Sequence, residues 1–162
     1  MKKILFCILG LLTLVGCSGT NKQHTPILDK NQSIYIMLPD VSDGAQTHLV
    51  QEELRKNFTK LSAAKVSTAL DQSSIKTGFM EAKKQKADLL VCPMIINWRD
   101  TDNSSGLRDK IGINIRIFDV KTQETINEQN LYKNGKMISF AESSPDKLLA
   151  GIIKRYVVLL YK

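Results

Sequence analysis

The chain is predicted to fold as one α/β (α+β) domain: a single mixed β-sheet of about four or five strands with helices packed on it. The expected order is β-α-β-α-β-β-β-α. Three observations predict it. Short apolar runs at 33–38 and 65–70 alternate with two stretches of helical periodicity, the pattern of β-α-β crossovers and parallel pairing. Isoleucine recurs at every second position as Ile111, Ile113, Ile115 and Ile117, which marks a strand with one strongly buried face. The last segment repeats apolar residues at helical spacing.

Each element has its own signal. Residues 33–38 are stopped by Pro39-Asp40, as a short buried strand would be. The stretch 46–61 places Val50, Leu54, Phe58 and Leu61 on one face, with Ser42 or Asp43 available as cap. After the alternating run 65–70, Ser73 or Ser74 caps a helix to about Ala87, buried through Ile75, Phe79 and Ala82. Residues 89–98 are apolar on both faces, so they should form a central strand covered on two sides. Residues 110–120 and 125–133 should pair through a turn at Thr122-Gln123-Glu124, and Asn134-Gly135 should turn the chain into 136–140. Ser144-Pro145-Asp146 opens the final helix with a capping serine, a proline and an acid, and Leu148, Leu149, Ile152, Ile153, Tyr156, Val157 and Leu160 form its stripe.

The first sixteen residues belong to no fold. Lys2 and Lys3 precede an apolar run from Ile4 to Val15, which ends in a small residue before Cys17. A charged start, a short apolar core and a small residue at the cut describe a secretory signal. The run falls short of the roughly 20 residues a spanning helix needs. Leu14-Val15-Gly16-Cys17 resembles the bacterial lipobox. That resemblance implies cleavage between Gly16 and Cys17, diacylglycerol on the Cys17 thiol and an N-acyl lipid on its freed amine. No other cofactor is expected. Ser18 after the cysteine implies, by the same likeness, the outer membrane with the domain facing the periplasm. Residues 17–32 then read as the lipidated N-terminus and a flexible tether, with Ile27-Leu28 able to pack back on the domain, and 33–162 as the single globular domain.

Cysteine and charge narrow the function. Cys7 leaves with the signal and Cys17 carries lipid, so Cys92 is left without a disulfide partner and is expected in the core. The formal net charge of +7 falls to +5 once Lys2 and Lys3 are removed. A basic chain in the cytoplasm would suggest nucleic acid, whereas an exported one meets lipid headgroups, lipopolysaccharide and peptidoglycan. Lys83, Lys84 and Lys86 are the densest basic cluster and read first as a solvated helix face.

Residues 93–100 (PMIINWRD), Ser105-Gly106, Asp109-Lys110 and 115–122 (IRIFDVKT) resemble a family of short proteobacterial lipoproteins known as DUF 4823. The resemblance is carried mainly by this strand, loop and strand, and it implies a location, not an activity. The layout is also similar to small periplasmic α/β modules of the Tol–Pal system and of lipoprotein activators of peptidoglycan synthases.

Motifs for chemistry are weak. His24 and His48 are distant and lack a cysteine pair, so no metal site is expected. Residues 41–45 (VSDGA) are not a phosphate loop, and no nucleophile elbow accompanies Ser42 and His48. Asp100, Asp102 and Asp109 form the best carboxylate group, in the setting of a solvated hairpin loop. No catalytic residue is therefore assigned. The candidate binding surface is Trp98, the single tryptophan, with Arg99, Asp100 and Arg108, since tryptophan and arginine are enriched among interface anchors. The expected partner is an envelope protein or assembly, in addition to the membrane reached through the lipid. Peptidoglycan or lipopolysaccharide is the alternative, an envelope hydrolase a more remote one, and nucleic acid is not expected.

Overall fold

The computed structural model describes residues 27–39, 44–71, 74–100, 109–135 and 144–162. They form β1 (Ile34–Ile36), α1 (Gly44–Leu61), β2 (Val66–Thr68), α2 (Ile75–Lys84), β3 (Leu89–Arg99), β4 (Lys110–Asp119), β5 (Thr125–Asn134) and α3 (Pro145–Leu160). Type and order agree with the sequence reading. The strands make one sheet ordered β2-β1-β3-β4-β5. β1 pairs in parallel with β2 and β3, while β3–β4 and β4–β5 are antiparallel.

The alternation in β4 decides which face is buried. Ile111, Ile113, Ile115 and Ile117 are all fully buried, in one cluster with Ile34, Ile36, Leu89 and Val91 of the neighbouring strands. α1 covers that face with Val50, Leu54 and Phe58, and α3 with Leu149, Ile153, Tyr156, Val157 and Leu160. Each such side chain contributes about 1.5–3 kcal/mol on burial. The opposite face carries a smaller cluster, where α2 sets Ala82, Ile75 and Phe79 against Tyr35, Met37, Leu90, Cys92 and Phe118. Phe79 meets Phe118 edge-on, 5.4 Å between ring centroids.

Three local expectations change. Residues 89–98 are covered on both sides only in their first half: Leu89, Leu90, Val91 and Cys92 are buried, but Met94 and Ile96 are exposed. α2 is ten residues long and stops short of the second half, which explains the difference. Asn134 ends β5 instead of opening a tight turn, and the Gly135 N–H still donates to the Asp109 carbonyl at 2.8 Å. The strand expected at 136–140, and the caps Ser42, Asp43 and Ser73, lie outside the described residues. Ser144 has cap backbone geometry but no side-chain cap bond, whereas Ser74 accepts from the Thr77 N–H at 3.2 Å.

The segment assigned to the tether is in its last six residues part of the domain. The N–H groups of Ile27 and Leu28 both donate to the Leu160 carbonyl at 2.9 Å, and Leu28 is buried. That carbonyl is one of the unpaired acceptors every helix end leaves, so the tail satisfies it. Farther along, the Lys30 carbonyl accepts from the Ala63 N–H at 2.7 Å. Chain entry is thus fixed beside the C-terminal ends of α1 and α3.

Two backbone positions are tightly constrained. A Cβ on Gly78 would lie 2.4 Å from the sulfur of buried Met37, so α2 approaches β1 closely because glycine is there. Lys86 closes α2 at φ 55°, with its N–H donating to the Lys83 carbonyl at 3.0 Å. That left-handed position normally favours glycine. Gly78→Val should lower unfolding free energy in urea by about 1–3 kcal/mol through overpacking. In the same measurement Lys86→Gly should raise it by about 1 kcal/mol, through relief of the left-handed strain.

Candidate binding surface

Of the four residues assigned to a binding surface, three are described. Trp98, Arg99 and Asp100 come at the end of β3, where Trp98 pairs with Ile111 and Arg99 with Lys110. Arg108 lies outside the described residues, as do Asp102, Ser105 and Gly106. The register shifts between Ile95 and Asn97, so Ile96 is an extra residue in β3. Such a bulge re-aims every later side chain. Without it Trp98 would point to the face that α2 partly covers. With it Trp98 turns to the α1/α3 side, half-buried and packed on the main core. Arg99 and Asp100 remain exposed. Trp98 therefore closes one end of the core while its two neighbours face solvent.

The geometry adds a surface the sequence reading missed. Beyond the start of α2, the far half of β3–β4–β5 has no helix over its α2-side face among the described residues. Met94, Ile96 and Tyr132 are exposed there. Tyr132 stands opposite Gly112 in the β4–β5 pairing, and a Cβ on Gly112 would come within 2.7 Å of its ring. The glycine lets the ring lie down on the sheet. Beside it Asn114 is buried and donates to Asn130 at 2.8 Å and Glu128 at 3.2 Å. Arg116 sits over the Phe118 ring, 5.9 Å from its centroid. The face thus grades from apolar under α2, through a hydrogen-bonded polar band, to an open patch of methionine, isoleucine and tyrosine. The signal available in the sequence was the lone Gly112 within the isoleucine stripe, since an isolated strand glycine marks close approach.

A second recess of about 270 Å³ lies between β5 and α3, lined by Leu131, Lys133, Ile152, Arg155 and Leu159 among others. Tyr156 borders it and donates its hydroxyl to Asn127 at 2.8 Å, while burial pushes that phenol above its ordinary range.

The groups suited to chemistry are scattered. His48 is exposed on α1 and Asp100 is exposed after β3. Among the described residues no three potential metal ligands gather, and no helix is long and apolar enough to cross a membrane. Cys92 is buried with its thiol 3.3 Å from the Met37 sulfur. Burial pushes this thiol up to about 12, against a smaller opposing pull from Arg116. It stays protonated at neutral pH, and the thiolate is the reactive species. An acid whose value rises on folding leaves stability intact below its ordinary value of 9.0 and erodes it as pH climbs toward about 12. Cys92→Ala should therefore flatten the alkaline loss of stability across that window relative to the parent. The parent thiol should react with an aromatic disulfide at neutral pH only after denaturant is added; prompt reaction of the native chain would contradict its burial.

No protein-family model matches the chain, and no curated protein matches it either, so the DUF 4823 resemblance gains no support from them. Solved structures do share the fold. The PelC dodecamer from Paraburkholderia phytofirmans superposes with a TM-score of 0.70 at 14% identity, covering 84% of this chain and 91% of that one. A hypothetical protein from Chlamydia trachomatis gives 0.54 at 12% identity, covering 80% of this chain and 98% of that one. A lipoprotein from Neisseria meningitidis gives 0.51 at 9% identity, with 79% and 97% covered. At such identities the likeness establishes the architecture: one mixed five-stranded sheet with three helices, shared with bacterial proteins that include a lipoprotein.

Proposed function

We propose that this chain is a non-catalytic bacterial envelope lipoprotein, anchored through lipid on Cys17, that serves as a binding module for an envelope assembly. The carrying observation is the Leu14-Val15-Gly16-Cys17 sequence placed ten residues before the point where the chain joins the domain at Ile27. Signal, lipid acceptor and tether are thus arranged in the order that export and anchoring require. Each buried methylene contributes about 0.8 kcal/mol, so one acyl chain holds marginally and two or more hold firmly. The fold shared with a Neisseria lipoprotein supports the same reading. Ser18 favours the outer membrane, with the domain in the periplasm.

The binding role is supported by the open half of the sheet. Met94, Ile96 and Tyr132 offer apolar and aromatic contact beside the hydrogen-bonded Asn114–Asn130 pair. Arg99 and Asp100 border it at the end of β3. Aromatic and arginine side chains around a small apolar centre are what interface anchors consist of. The occupant is a folded envelope protein. A copy of the same chain is one form of it, since PelC, which has this fold, assembles as a dodecamer.

Two measurements test the reading. Mass spectrometry of the mature protein should find an acylated N-terminal Cys17, and Cys17→Ser should leave the precursor uncut and absent from lipid-anchored fractions. Unchanged processing and sedimentation of that variant would remove the anchor. A photo-crosslinking residue at Tyr132 or Arg99 should capture a discrete protein in intact cells, while one at exposed Leu70 should not. Equal capture at all three positions, or none, would argue against this surface.

A further inference from the structure

All three helices and the chain entry converge on one end of the sheet, and that end is rich in lysine. α1, α2 and α3 run opposite to the parallel strands, so they finish where β1 and β3 begin. Between the end of α2, the start of β3 and the β4–β5 hairpin lies an open groove of about 730 Å³, lined by Lys83, Lys86 and Lys121 together with Asn31 and Gln32. Two carboxylates border it as well, and both are turned onto the fold. Asp88 accepts from the Ser33 N–H at 2.8 Å and from the Ser33 hydroxyl at 2.6 Å. Asp119 accepts from the backbone N–H groups of Lys121 and Thr122, both at 2.8 Å. Among the described residues neither acid forms a salt bridge with a lysine of the groove, as nearby Lys84 does with Glu81. Hydrogen bonds from the turn and, to a smaller extent, the Lys121 charge hold the Asp119 carboxyl below its ordinary range. Lys30 and Lys65 add charge on the flanks of the same end.

Lysine near a helix C-terminus is favoured by the helix dipole, which accounts for Lys83. It does not account for Lys86 or Lys121, which lie outside helices. Lys86 moreover occupies a left-handed position at φ 55° that glycine would take with less strain.

The geometry points to this lysine groove as a docking surface for the phosphates of anionic lipid headgroups, holding the domain with its chain-entry end against the membrane. The inference rests on the anchor reading above. The ten residues from Cys17 to Ile27 can reach at most about 36 Å whatever their conformation, so they cannot carry this end far from the bilayer. Within a screening length of about 10 Å or less, juxtamembrane lysines are drawn to anionic surfaces. The lipid keeps the protein on the membrane, and the groove sets which way it faces.

The test uses the lipidated protein purified from membranes and placed in vesicles of phosphatidylcholine alone or of phosphatidylcholine with phosphatidylglycerol. Amine-reactive labelling is read lysine by lysine by mass spectrometry. Lys83, Lys86 and Lys121 should label at least about threefold more slowly in the anionic vesicles, and molar salt should restore them. Lys110 and Lys133, at the opposite end of the sheet, should not change. Equal labelling of the groove lysines in both vesicle types overturns the docking surface while leaving the anchor intact. Failure of the protein to remain on either vesicle overturns the anchor and this inference with it. Equivalent protection by inorganic phosphate without vesicles would assign the groove to a soluble anion and overturn the lipid reading.

Discussion

Burial of the four β4 isoleucines beneath α1 and α3 is the constraint from which the other features follow. β4 pairs with β3 and with β5 along nearly all of its ten residues, so its register is transmitted to both. A slip by one residue would move all four isoleucines to the side where Asn114 and Arg116 now lie. At about 1.5–3 kcal/mol for each side chain, that alternative lies far above the native arrangement. The same choice decides the other face. Once two helices are committed to the isoleucine side, only the short α2 lies over its opposite among the described residues, and it covers about half of that face.

The bulge at Ile96 shows how one inserted residue separates structure from surface. It changes the phase of β3 just before the strand leaves the sheet. Trp98 is thereby taken into the end of the core, and Arg99 is left outside. The tryptophan that the sequence offers as a candidate anchor is largely a packing residue, and the apolar area available to a partner passes to Met94, Ile96 and Tyr132.

This explains which parts were legible beforehand. Period two in β4 and period 3.6 in α1 and α3 are strong because each element buries a single face, and the sheet class followed from them. β3 was harder. Its apolar residues run on without alternation, and the same composition serves a strand covered on both sides or one covered for half its length. Only the point where α2 begins, at its Ser74 cap, distinguishes them. The open patch was illegible for the same reason, apart from the hint of Gly112. Of the tail at 27–32 only the apolar pair Ile27-Leu28 was legible, because the rest of its hold on the domain is through backbone groups, which carry no composition signal.

Charge on this molecule is arranged by topology more than by sequence proximity. Lys30, Lys65, Lys83, Lys86 and Lys121 are spread over ninety positions, yet parallel crossovers return the chain to the same end after each helix. The acids that reach this end serve as backbone acceptors: Asp88 for Ser33 and Asp119 for the β4–β5 turn. A carboxylate with short hydrogen bonds to fixed N–H groups stays in place instead of folding over a neighbouring lysine. The turn and the strand start are thus stabilised by the same contacts that keep these acids from forming salt bridges with the groove lysines. The open sheet half, which carries aromatic and amide groups, lies away from this end. A domain held at its basic end would present that half sideways along the membrane, where a neighbouring protein could reach it.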